Sequence, residues 1–335
     1  MALVFDQSMS DYIFPVAVIG GGSAGVMAVL RTVLNNDETL FFPGSAQDKK
    51  RSRALWVAKV ENVPGHLGYK KGIEQPNRES LQWLSEGPQK DKLHWKKNIG
   101  ITSVKKDDDG VFTLIDSKGE SWRAKYVILA TGVMDVQPVI NGSIEEIFPY
   151  ANAQTADYCL RCDGHHVLGK KTAVIGHTNG AAWVAVMLYE RYKTPKMSVL
   201  THNQKSEING DVLDLCKKYG IEIIEGEIVS VMGKDNGKTL EGFQLADGTV
   251  HEYEWSFVSL GMIVYNELAK SLNCELDDRG FVIGDGKGMT SVEGCYVAGD
   301  LRANVKKQIY TAWDTAVDSA DAINAKLRSQ ARATS

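Results

Sequence analysis

The sequence contains no apolar run long enough to cross a bilayer, which excludes an integral membrane protein. Only five of its 335 residues are cysteines, too few for a disulfide-stapled scaffold. It has no glycine- or serine-rich linker and no low-complexity tract. Near the N-terminus, Asp6 and Asp11 stand where a secretory signal has basic residues and then an apolar core. We therefore expect a soluble, cytoplasmic protein that binds neither a membrane nor a nucleic acid.

The composition is that of a globular protein whose charges are unevenly distributed. Hydrophobic residues make up 43% and charged residues 24% of the chain, and 335 residues suffice for two domains. The formal net charge is -4, but the segment from Lys49 to Lys106 contains fourteen Lys or Arg and only five Asp or Glu. Such a basic segment is either a solvated face or a docking surface for an acidic partner.

Residues 12–29 have the order of a dinucleotide-binding unit. The apolar run IFPVAVI predicts a strand, and GGGSAG then leads into a helix of small and apolar residues. Gly20, Gly22 and Gly25 form GxGxxG, which permits a tight turn, close approach of a pyrophosphate and close packing of the helix. The helix N-terminus then faces the phosphates with its free amides and positive dipole end.

A second unit of the same shape follows at residues 171–192, where KTAVIG passes through HTNGAA into an apolar helical pattern. Two such units imply two nucleotide-sized sites. The candidate residues of the second site are Gly176, His177, Thr178, Asn179, Gly180 and Ala181.

The order of the predicted elements indicates an α/β protein with two Rossmann-like domains, the second inserted into the first. Residues 1–133 and 264–335 are expected to form a three-layer ββα domain of the FAD/NAD(P)-binding type. Residues 134–263 are expected to form the inserted domain.

No acidic residue follows the second strand, which ends in Phe41 and Phe42, and this argues against a simple NAD site in the first domain.

Cys159 and Cys162 form a CxxC motif, CLRCDG, directly before the second unit. Thr155 and Asp157 upstream are residues that start helices. A thiolate at a helix N-terminus is stabilised by the dipole, with further help from Arg161. The motif therefore indicates redox chemistry. The alternatives are two ordinary buried cysteines or half of a zinc site, but no second CxxC or HxxxH with finger spacing is present.

The other cysteines and nearby histidines have simpler interpretations. Cys216, Cys274 and Cys295 have no evident partner and are expected to be core thiols. The adjacent His165 and His166 could ligate a metal, but surface or hydrogen-bonded histidines are commoner, and we expect no metal site.

The CxxCDG motif at this place resembles the low-molecular-weight thioredoxin reductases of the flavoprotein disulfide reductase superfamily. The resemblance covers nearly the whole chain: ATG at 130–132, GCYVAGD at 294–300, VENVPG at 60–65, FVSLG at 257–261 and KQIYTAWD at 307–314. In that family the second cysteine faces the flavin, the first attacks the partner disulfide and the following aspartate handles protons. The resemblance therefore assigns these roles to Cys162, Cys159 and Asp163.

The resemblance also implies FAD as the cofactor. The aspartate corresponding to Asp300 holds the ribityl and phosphate region in the family, although a helix N-cap is a compatible role. Lys307 stands where the family usually has arginine. The residues that the resemblance places at FAD, together with the first glycine motif, are Gly20, Gly22, Ser23, Ala24, Gly25, Asn62, Ala130, Thr131, Gly132, Gly299, Asp300, Lys307, Gln308 and Ile309.

The second site departs from the family's NADPH pattern in two places. Thr178 replaces the middle glycine of GxGxxA, and its side chain would obstruct the usual approach of the pyrophosphate. The basic HRRxxxR cluster that binds the 2'-phosphate is absent, because residues 201–205 read THNQK. Both losses argue against NADPH as electron donor, with a degenerate NADPH site as the alternative.

The family offers two precedents without NADPH. Ferredoxin-dependent flavin thioredoxin reductases are one, and the basic segment fits an acidic ferredoxin. Diflavin-linked disulfide oxidoreductases, with a second FAD where NADPH would bind, are the other. Trp183, Tyr189 and Tyr192 could line a flat ring site there, although helical core packing is the commoner role for each.

We therefore expect an NADPH-independent, FAD-dependent disulfide oxidoreductase that passes electrons between FAD, the Cys159–Cys162 disulfide and a thioredoxin-like partner. The rival functions are an oxygen-using dithiol oxidase, an NADPH-dependent thioredoxin reductase with a degenerate site, and a flavin-binding redox sensor without turnover. The resemblance further implies a homodimer and a rotation between domains.

Overall fold

The computed structural model describes residues 12–45, 52–53 and 56–334. Asp6, Asp11 and the first two lysines of the basic segment lie outside these residues. The strands are β1 (Ile13–Ile19), β2 (Thr39–Phe42), β3 (Leu93–Trp95), β4 (Ile101–Lys106), β5 (Phe112–Asp116), β6 (Ser121–Leu129), β7 (Val133–Asp135), β8 (Ala156–Asp157), β9 (Thr172–Ile175), β10 (Met197–Leu200), β11 (Glu222–Ile224), β12 (Ile228–Lys234), β13 (Thr239–Leu245), β14 (Val250–Glu252), β15 (Trp255–Val258), β16 (Met262–Val264) and β17 (Cys295–Val297). The α-helices are α1 (Ser23–Leu34), α2 (Glu74–Glu86), α3 (Phe148–Ala153), α4 (Leu160–Asp163), α5 (Asn179–Tyr192), α6 (Gly210–Tyr219), α7 (Glu267–Ser271) and α8 (Ile309–Thr334).

The chain divides into two compact units. The first unit contains the described residues up to Ser52, together with Ile73–Met134 and the chain from Val264 onwards. The second contains Arg53–Gly72 and Asp135–Ile263. The sequence places residues 53–72 in the first domain, whereas the structure groups them with the second unit. Ring stacking of Trp56 on Phe148, with centroids 5.4 Å apart, is one reason for this grouping.

The first unit is built on a mixed sheet with layers on both faces. Strands β3, β2, β1, β6 and β17 run parallel, while β4 and β5 form an antiparallel hairpin that pairs with the first half of β6. Alternate residues of β1 enter two different cores. Val16 and Val18 pack with the helices α1, α2 and α8, whereas Ala17 and Ile19 pack on the opposite face. This arrangement confirms the predicted α/β fold class with a three-layer ββα domain.

The second unit has a five-stranded parallel sheet in the order β11, β10, β9, β15, β8. Its central strands β9 and β10 are short and fully buried, as expected for a sheet covered on both faces. Helices α5 and α6 pack in one core with Val174, Val199 and Phe257. A separate three-stranded antiparallel sheet, β12–β13–β14, closes the other side of this unit. The second Rossmann-like unit predicted from the sequence is therefore confirmed.

Candidate active site

The two cysteines of the CxxC motif form a disulfide, Cys159–Cys162, with Cα atoms 5.3 Å apart. Cys159 has extended backbone angles and is itself the N-cap of the four-residue helix α4. The Cys162 backbone N–H donates to Cys159 Sγ at 3.2 Å. Both cysteines are half-buried.

The prediction that Thr155 and Asp157 start this helix is wrong. Thr155 Oγ1 instead donates to the carbonyl of Gly237 at 2.6 Å, which ties the chain before β8 to a distant turn. Asp157 ends β8 and accepts two side-chain hydrogen bonds, described below. The sulfur of Cys159 takes the capping position because the chain leaves β8 in extended form until that residue.

Asp163 lies immediately behind the disulfide, with its carboxylate oxygen within 4.8 Å of both sulfurs. Its side chain is buried. Burial, followed by the charge of the neighbouring Asp157, raises the pKa of Asp163 to about 8. A carboxyl group that keeps its proton near neutral pH, so close to two sulfurs, can donate that proton to a leaving thiolate.

A cluster of four charged side chains continues from Asp163 towards the surface. His166 is its centre: Nδ1 lies 2.9 Å from Asp157 Oδ2, and Nε2 lies 3.0 Å from Glu61 Oε2. The same Glu61 oxygen lies 2.7 Å from His165 Nε2. Both predicted surface histidines therefore have carboxylate partners. We call Glu61, Asp157, His165 and His166 the carboxylate–histidine cluster.

Two further contacts hold the surroundings of the redox pair. Trp255 Nε1 donates to Asp157 Oδ2 at 2.7 Å, so that carboxylate is anchored from the neighbouring strand β15. Arg53 makes a bidentate ion pair with Asp135, at 2.6 and 2.7 Å. The sequence analysis assigned no role to Trp255, to the Arg53–Asp135 pair or to Glu61, although Glu61 lies within VENVPG, because their partners are more than eighty residues away along the chain.

The glycines of the first fingerprint lie where the strand β1 turns into α1. Gly20 has φ +119°, and a Cβ there would stand 2.2 Å from the Ala130 carbonyl oxygen. A Cβ at Gly25 would stand 1.7 Å from the carbonyl oxygen of Gly20. At Gly22, by contrast, a Cβ would meet no atom of the described chain within 4 Å. Two glycines are thus required by packing, while the third leaves open space beside the helix N-terminus.

The other residues expected at FAD in the first unit converge on the same edge of the sheet. Parallel pairing places the carboxyl ends of β1, β6 and β17 side by side, with Ile19 opposite Leu129 and Leu129 opposite Val297. The residues that follow these strands, or lie at or just before the first turn of α1 and α8, are Gly20, Gly22, Ser23, Ala24, Gly25, Ala130, Thr131, Gly132, Gly299, Asp300, Lys307, Gln308 and Ile309. Ligands bind at this edge of open α/β sheets, so the position of these residues fits a dinucleotide. Asn62 lies in the second unit, within Arg53–Gly72.

The second fingerprint occupies the equivalent turn between β9 and α5. A Cβ at Gly176 would stand 2.5 Å from the Ser259 carbonyl oxygen, so this glycine is required by packing. Thr178 is the N-cap of α5, with extended backbone angles and no capping hydrogen bond from its side chain. Asn179, Gly180 and Ala181 form the first turn of α5. The structure thus brings all six predicted residues of the second site together.

The three aromatic residues of α5 that could line a flat ring site differ in their burial and packing. Tyr189 and Tyr192 pack against the core of the second unit, and Tyr189 packs on Tyr219 with ring centroids 5.2 Å apart. Trp183 is 42% exposed. Core packing therefore accounts for the two tyrosines.

The remaining cysteines have the predicted character: Cys216, Cys274 and Cys295 are free and buried. In the described residues, no helix is both long and apolar enough to span a membrane.

The chain shows similarity to known proteins over nearly its whole length. The profile of the family described as pyridine nucleotide-disulphide oxidoreductase matches residues 14–320. Thioredoxin reductase of Treponema pallidum is 27% identical over 310 residues, which are 89% of this chain and 92% of that protein. Thioredoxin reductase of Peptoclostridium acidaminophilum is 27% identical over 316 residues, 90% of this chain and 93% of that protein.

Solved structures show the same fold. Thioredoxin reductase from Streptococcus pyogenes has a TM-score of 0.79 at 21% identity, covering 96% of this chain and 100% of that one. The family is one of flavoprotein disulfide oxidoreductases, which implies FAD as cofactor. Together with the disulfide at Cys159–Cys162, the profile match shows that the chain is a thioredoxin reductase-like member of the pyridine nucleotide-disulphide oxidoreductase family.

Proposed function

We propose that this enzyme exchanges electrons between FAD, the Cys159–Cys162 disulfide and a thioredoxin-like protein, and that it does so without NADPH. The first glycine fingerprint and the residues at the ends of β1, β6 and β17 would hold FAD, which supplies two-electron chemistry when bound. Gly22 leaves room for the pyrophosphate, and the N-terminus of α1 offers free amides to it. Asp300 is half-buried in the short turn Gly299–Leu301 at the same edge.

One observation carries the proposed independence from NADPH: the backbone of the loop after β10 is bound to the second fingerprint at an acidic residue, Glu207. The Glu207 backbone N–H donates to the carbonyl of His177 at 2.9 Å, and the Asn209 N–H donates to Asn179 Oδ1 at 2.8 Å. This loop begins with residues 201–205, THNQK, where the family has its cluster of basic residues. In this chain the backbone of Glu207 binds the loop to the fingerprint. The cluster of basic side chains that the family has in this loop is absent.

The electrostatic consequence disfavours NADPH. A 2'-phosphate carries close to two negative charges near neutral pH and needs arginine or lysine partners. This loop carries the carboxylate of Glu207 instead, and a second carboxylate, that of Glu225 after β11, accepts from the Ser206 N–H of the loop at 3.0 Å. Lys205 is exposed and is the single lysine or arginine among residues 201–209. We infer that the second site discriminates against a 2'-phosphate.

Two buried polar atoms support a different ligand at the second site, namely a second FAD. Thr201 is fully buried and its Oγ1 has no hydrogen-bond partner in the described chain, and His177 Nδ1 is likewise buried without one. Thr201 and Gly176 follow adjacent parallel strands, because Leu200 lies opposite Ile175. An unsatisfied buried hydroxyl costs about 1–3 kcal/mol. The adenosine end of FAD has no 2'-phosphate, so the absence of basic residues would not weaken its binding.

The protein's own residues can carry out the exchange with the partner. Cys159 would form the mixed disulfide, Cys162 would resolve it, and Asp163 would supply and take up the proton. The relatives named thioredoxin reductase support thioredoxin as the partner. Ferredoxin as the electron donor is supported by the excess of basic residues between Lys49 and Lys106. A homodimer is expected from the family alone.

A flavin count and a thioredoxin assay test the two parts of the proposal separately. We expect two flavins per chain from the denatured wild-type protein, and one from Thr201→Val, which removes the buried hydroxyl but keeps its shape. We expect no reduction of thioredoxin by NADPH under conditions in which a conventional thioredoxin reductase works. One flavin in the wild-type protein would refute the second FAD, and NADPH-driven reduction would refute the independence from NADPH.

A further inference from the structure

We infer that His166 and Glu61 are positioning residues that act through Asp163 and adjust, in opposite directions, proton transfer at the redox pair. This inference rests on the proposed function, since it concerns the same exchange at Cys159–Cys162. It adds two residues outside the CxxCDG motif to the control of that exchange.

The first support is the position of Asp163 between the disulfide and the carboxylate–histidine cluster. Its carboxylate oxygen is within 4.8 Å of the sulfurs of Cys159 and Cys162 on one side. On the other side, an oxygen of Asp157 and a ring nitrogen of His166 lie within the same distance of it. A change of charge on His166 therefore acts on Asp163 over a short path through buried protein, where screening by water is weak.

The second support is that hydrogen bonds hold His166 as a cation. Its ring bridges Asp157 Oδ2, at 2.9 Å, and Glu61 Oε2, at 3.0 Å. The Asp157 side chain is 4% exposed and the His166 side chain 13%, so neither charge is well solvated without the other. Burial disfavours the charged ring, but these hydrogen bonds and the negative charges of Asp157 and Asp163 together outweigh burial and raise the pKa of His166 to about 9.

The charges around Asp163 then act in opposite directions. Burial has the largest effect on the pKa of Asp163 and raises it. Of the neighbouring charges, the carboxylates of Asp157 and Glu61 raise this pKa, whereas the cations of His166 and Arg53 lower it. Among the described residues, the charged or titratable groups that act on Asp163 or lie beside it are Arg53 and Glu61 from Arg53–Gly72, Asp157 from β8, His166 from the turn Gly164–Val167, and the sulfurs of Cys159 and Cys162. His165, from the same turn, contacts Glu61. Removing His166 should therefore strengthen the hold of Asp163 on its proton. Removing Glu61 takes away a negative charge that raises the pKa of Asp163, while Asp157, the stronger partner of His166, still holds that ring as a cation, so the hold of Asp163 on its proton should weaken.

The chemical step is an exchange with a dithiol, in which protons and electrons balance. One substrate thiolate attacks Cys159, the Cys159–Cys162 bond breaks, and Cys162 leaves with the proton of Asp163. The second substrate thiol gives its proton to Asp163 and attacks its own mixed disulfide, and Cys159 leaves as a thiolate that water protonates. The substrate is oxidised to a disulfide by two electrons, and the enzyme pair is reduced by two.

The test measures reduction of the pair itself in the flavin-loaded protein. Dithiothreitol is mixed anaerobically with the oxidised enzyme, and the reaction is stopped by alkylation at several times. Pairs that have accepted electrons are counted as alkylated Cys159 and Cys162 by mass together with reduced FAD by absorbance. Rates at pH 6 to 10 are divided by the fraction of dithiothreitol thiolate, and the midpoint of the resulting profile is compared among variants. Because neither NADPH nor a protein partner is needed, failure of those parts of the proposed function leaves this readout intact.

We expect the midpoint to rise in His166→Gln and to fall in Glu61→Gln, relative to the wild type. Nearby charges shift a pKa by about one unit or more, so above pH 8 the rates of the two variants should differ at least about tenfold. His251→Gln is the control for loss of a histidine, because His251 lies in β14 of the antiparallel sheet and should not move the midpoint. Equal midpoints in all variants, or shifts in one direction for both, would overturn the inference. If His166→Gln does not fold, an unchanged midpoint in Glu61→Gln alone overturns it.

Discussion

Asp163 keeps its proton at a pH where carboxyl groups of unfolded chains are ionised, and this has a consequence for stability. Its pKa is raised from 3.8 to about 8, first by burial. Well below its unfolded-state pKa the group is protonated in both folded and unfolded protein. As the pH rises from there to about 8, the unfolded chain gains stability by ionising while the folded protein does not, so stability is lost over this range.

We therefore expect Asp163→Asn to stabilise the fold at pH 8 but not at pH 4. Each unit of pKa shift corresponds to about 1.4 kcal/mol, which makes several kilocalories per mole the upper limit. Urea unfolding of wild type and variant between pH 4 and 9 checks this, with Asp278→Asn, which changes an exposed aspartate of the first unit, as control. A stability difference that does not grow with pH would contradict the raised pKa.

The two cysteines should fail differently when replaced. Cys162→Ser retains the attacking thiol, so a mixed disulfide with oxidised thioredoxin should form through Cys159 and persist. Cys159→Ser should form none, and both variants should lose turnover to below about one thousandth of the wild type. Non-reducing electrophoresis detects the mixed disulfide, and a thioredoxin assay measures turnover. The flavin spectrum of both variants should remain that of bound FAD, which shows that the cofactor site is intact. An adduct with Cys159→Ser in place of Cys162→Ser would reverse the roles assigned to the pair.

For single residues, the sequence predicts the members of the CxxCDG motif but not the side chains that surround them in the fold. Cys159, Cys162 and Asp163 are recognisable because their spacing is local. The roles of Glu61 and Trp255 are not, because these residues reach the cluster around His166 only after three distant segments have folded together. The role given to Asp157 as a helix start failed for the same reason: tertiary hydrogen bonds took its carboxylate.

Two glycines in the turn between β1 and α1 allow the effect of a mutation on packing to be distinguished from its effect on ligand binding. A Cβ at Gly25 would collide with the Gly20 carbonyl oxygen, whereas a Cβ at Gly22 would meet no atom of the described chain within 4 Å. We therefore expect Gly25→Ala to destabilise the apoprotein. Gly22→Ala should leave apoprotein stability nearly unchanged and weaken FAD binding at least about tenfold, or about 1.4 kcal/mol.

Thermal unfolding of the apoproteins and titration with FAD distinguish these effects. The two variants carry the same added methyl group, so each serves as the control for the other. Full FAD affinity in Gly22→Ala would show that the open space beside this glycine is not where the pyrophosphate lies.

The second turn shows what a sequence motif can and cannot predict for an element. The order strand, GxTxGA and helix predicts β9 and α5 because periodicity and glycine spacing are local signals. The position of the following loop was not predictable. It depends on backbone hydrogen bonds from Glu207 and Asn209, which carry no sequence signature.

In the whole molecule, the repetition of one βαβ pattern made the α/β class and the two Rossmann-like units predictable. The grouping of residues 53–72 was not, because it depends on ring stacking, an ion pair and the bonds of one glutamate to two histidines. These contacts link segments about eighty or more residues apart. The homodimer, the rotation between domains and the cytoplasmic location remain predictions from the sequence and the family.

The central claim is that electrons move between FAD and the Cys159–Cys162 pair and that NADPH is not their source. The most direct measurement follows the flavin absorbance of the anaerobic protein while NADPH, and then a dithiol such as dithiothreitol, is added to the same sample. The account predicts no bleaching by NADPH, followed by bleaching by the dithiol in the wild type and none in Cys162→Ser. Prompt bleaching by NADPH would contradict the claim and make the protein an ordinary NADPH-dependent thioredoxin reductase.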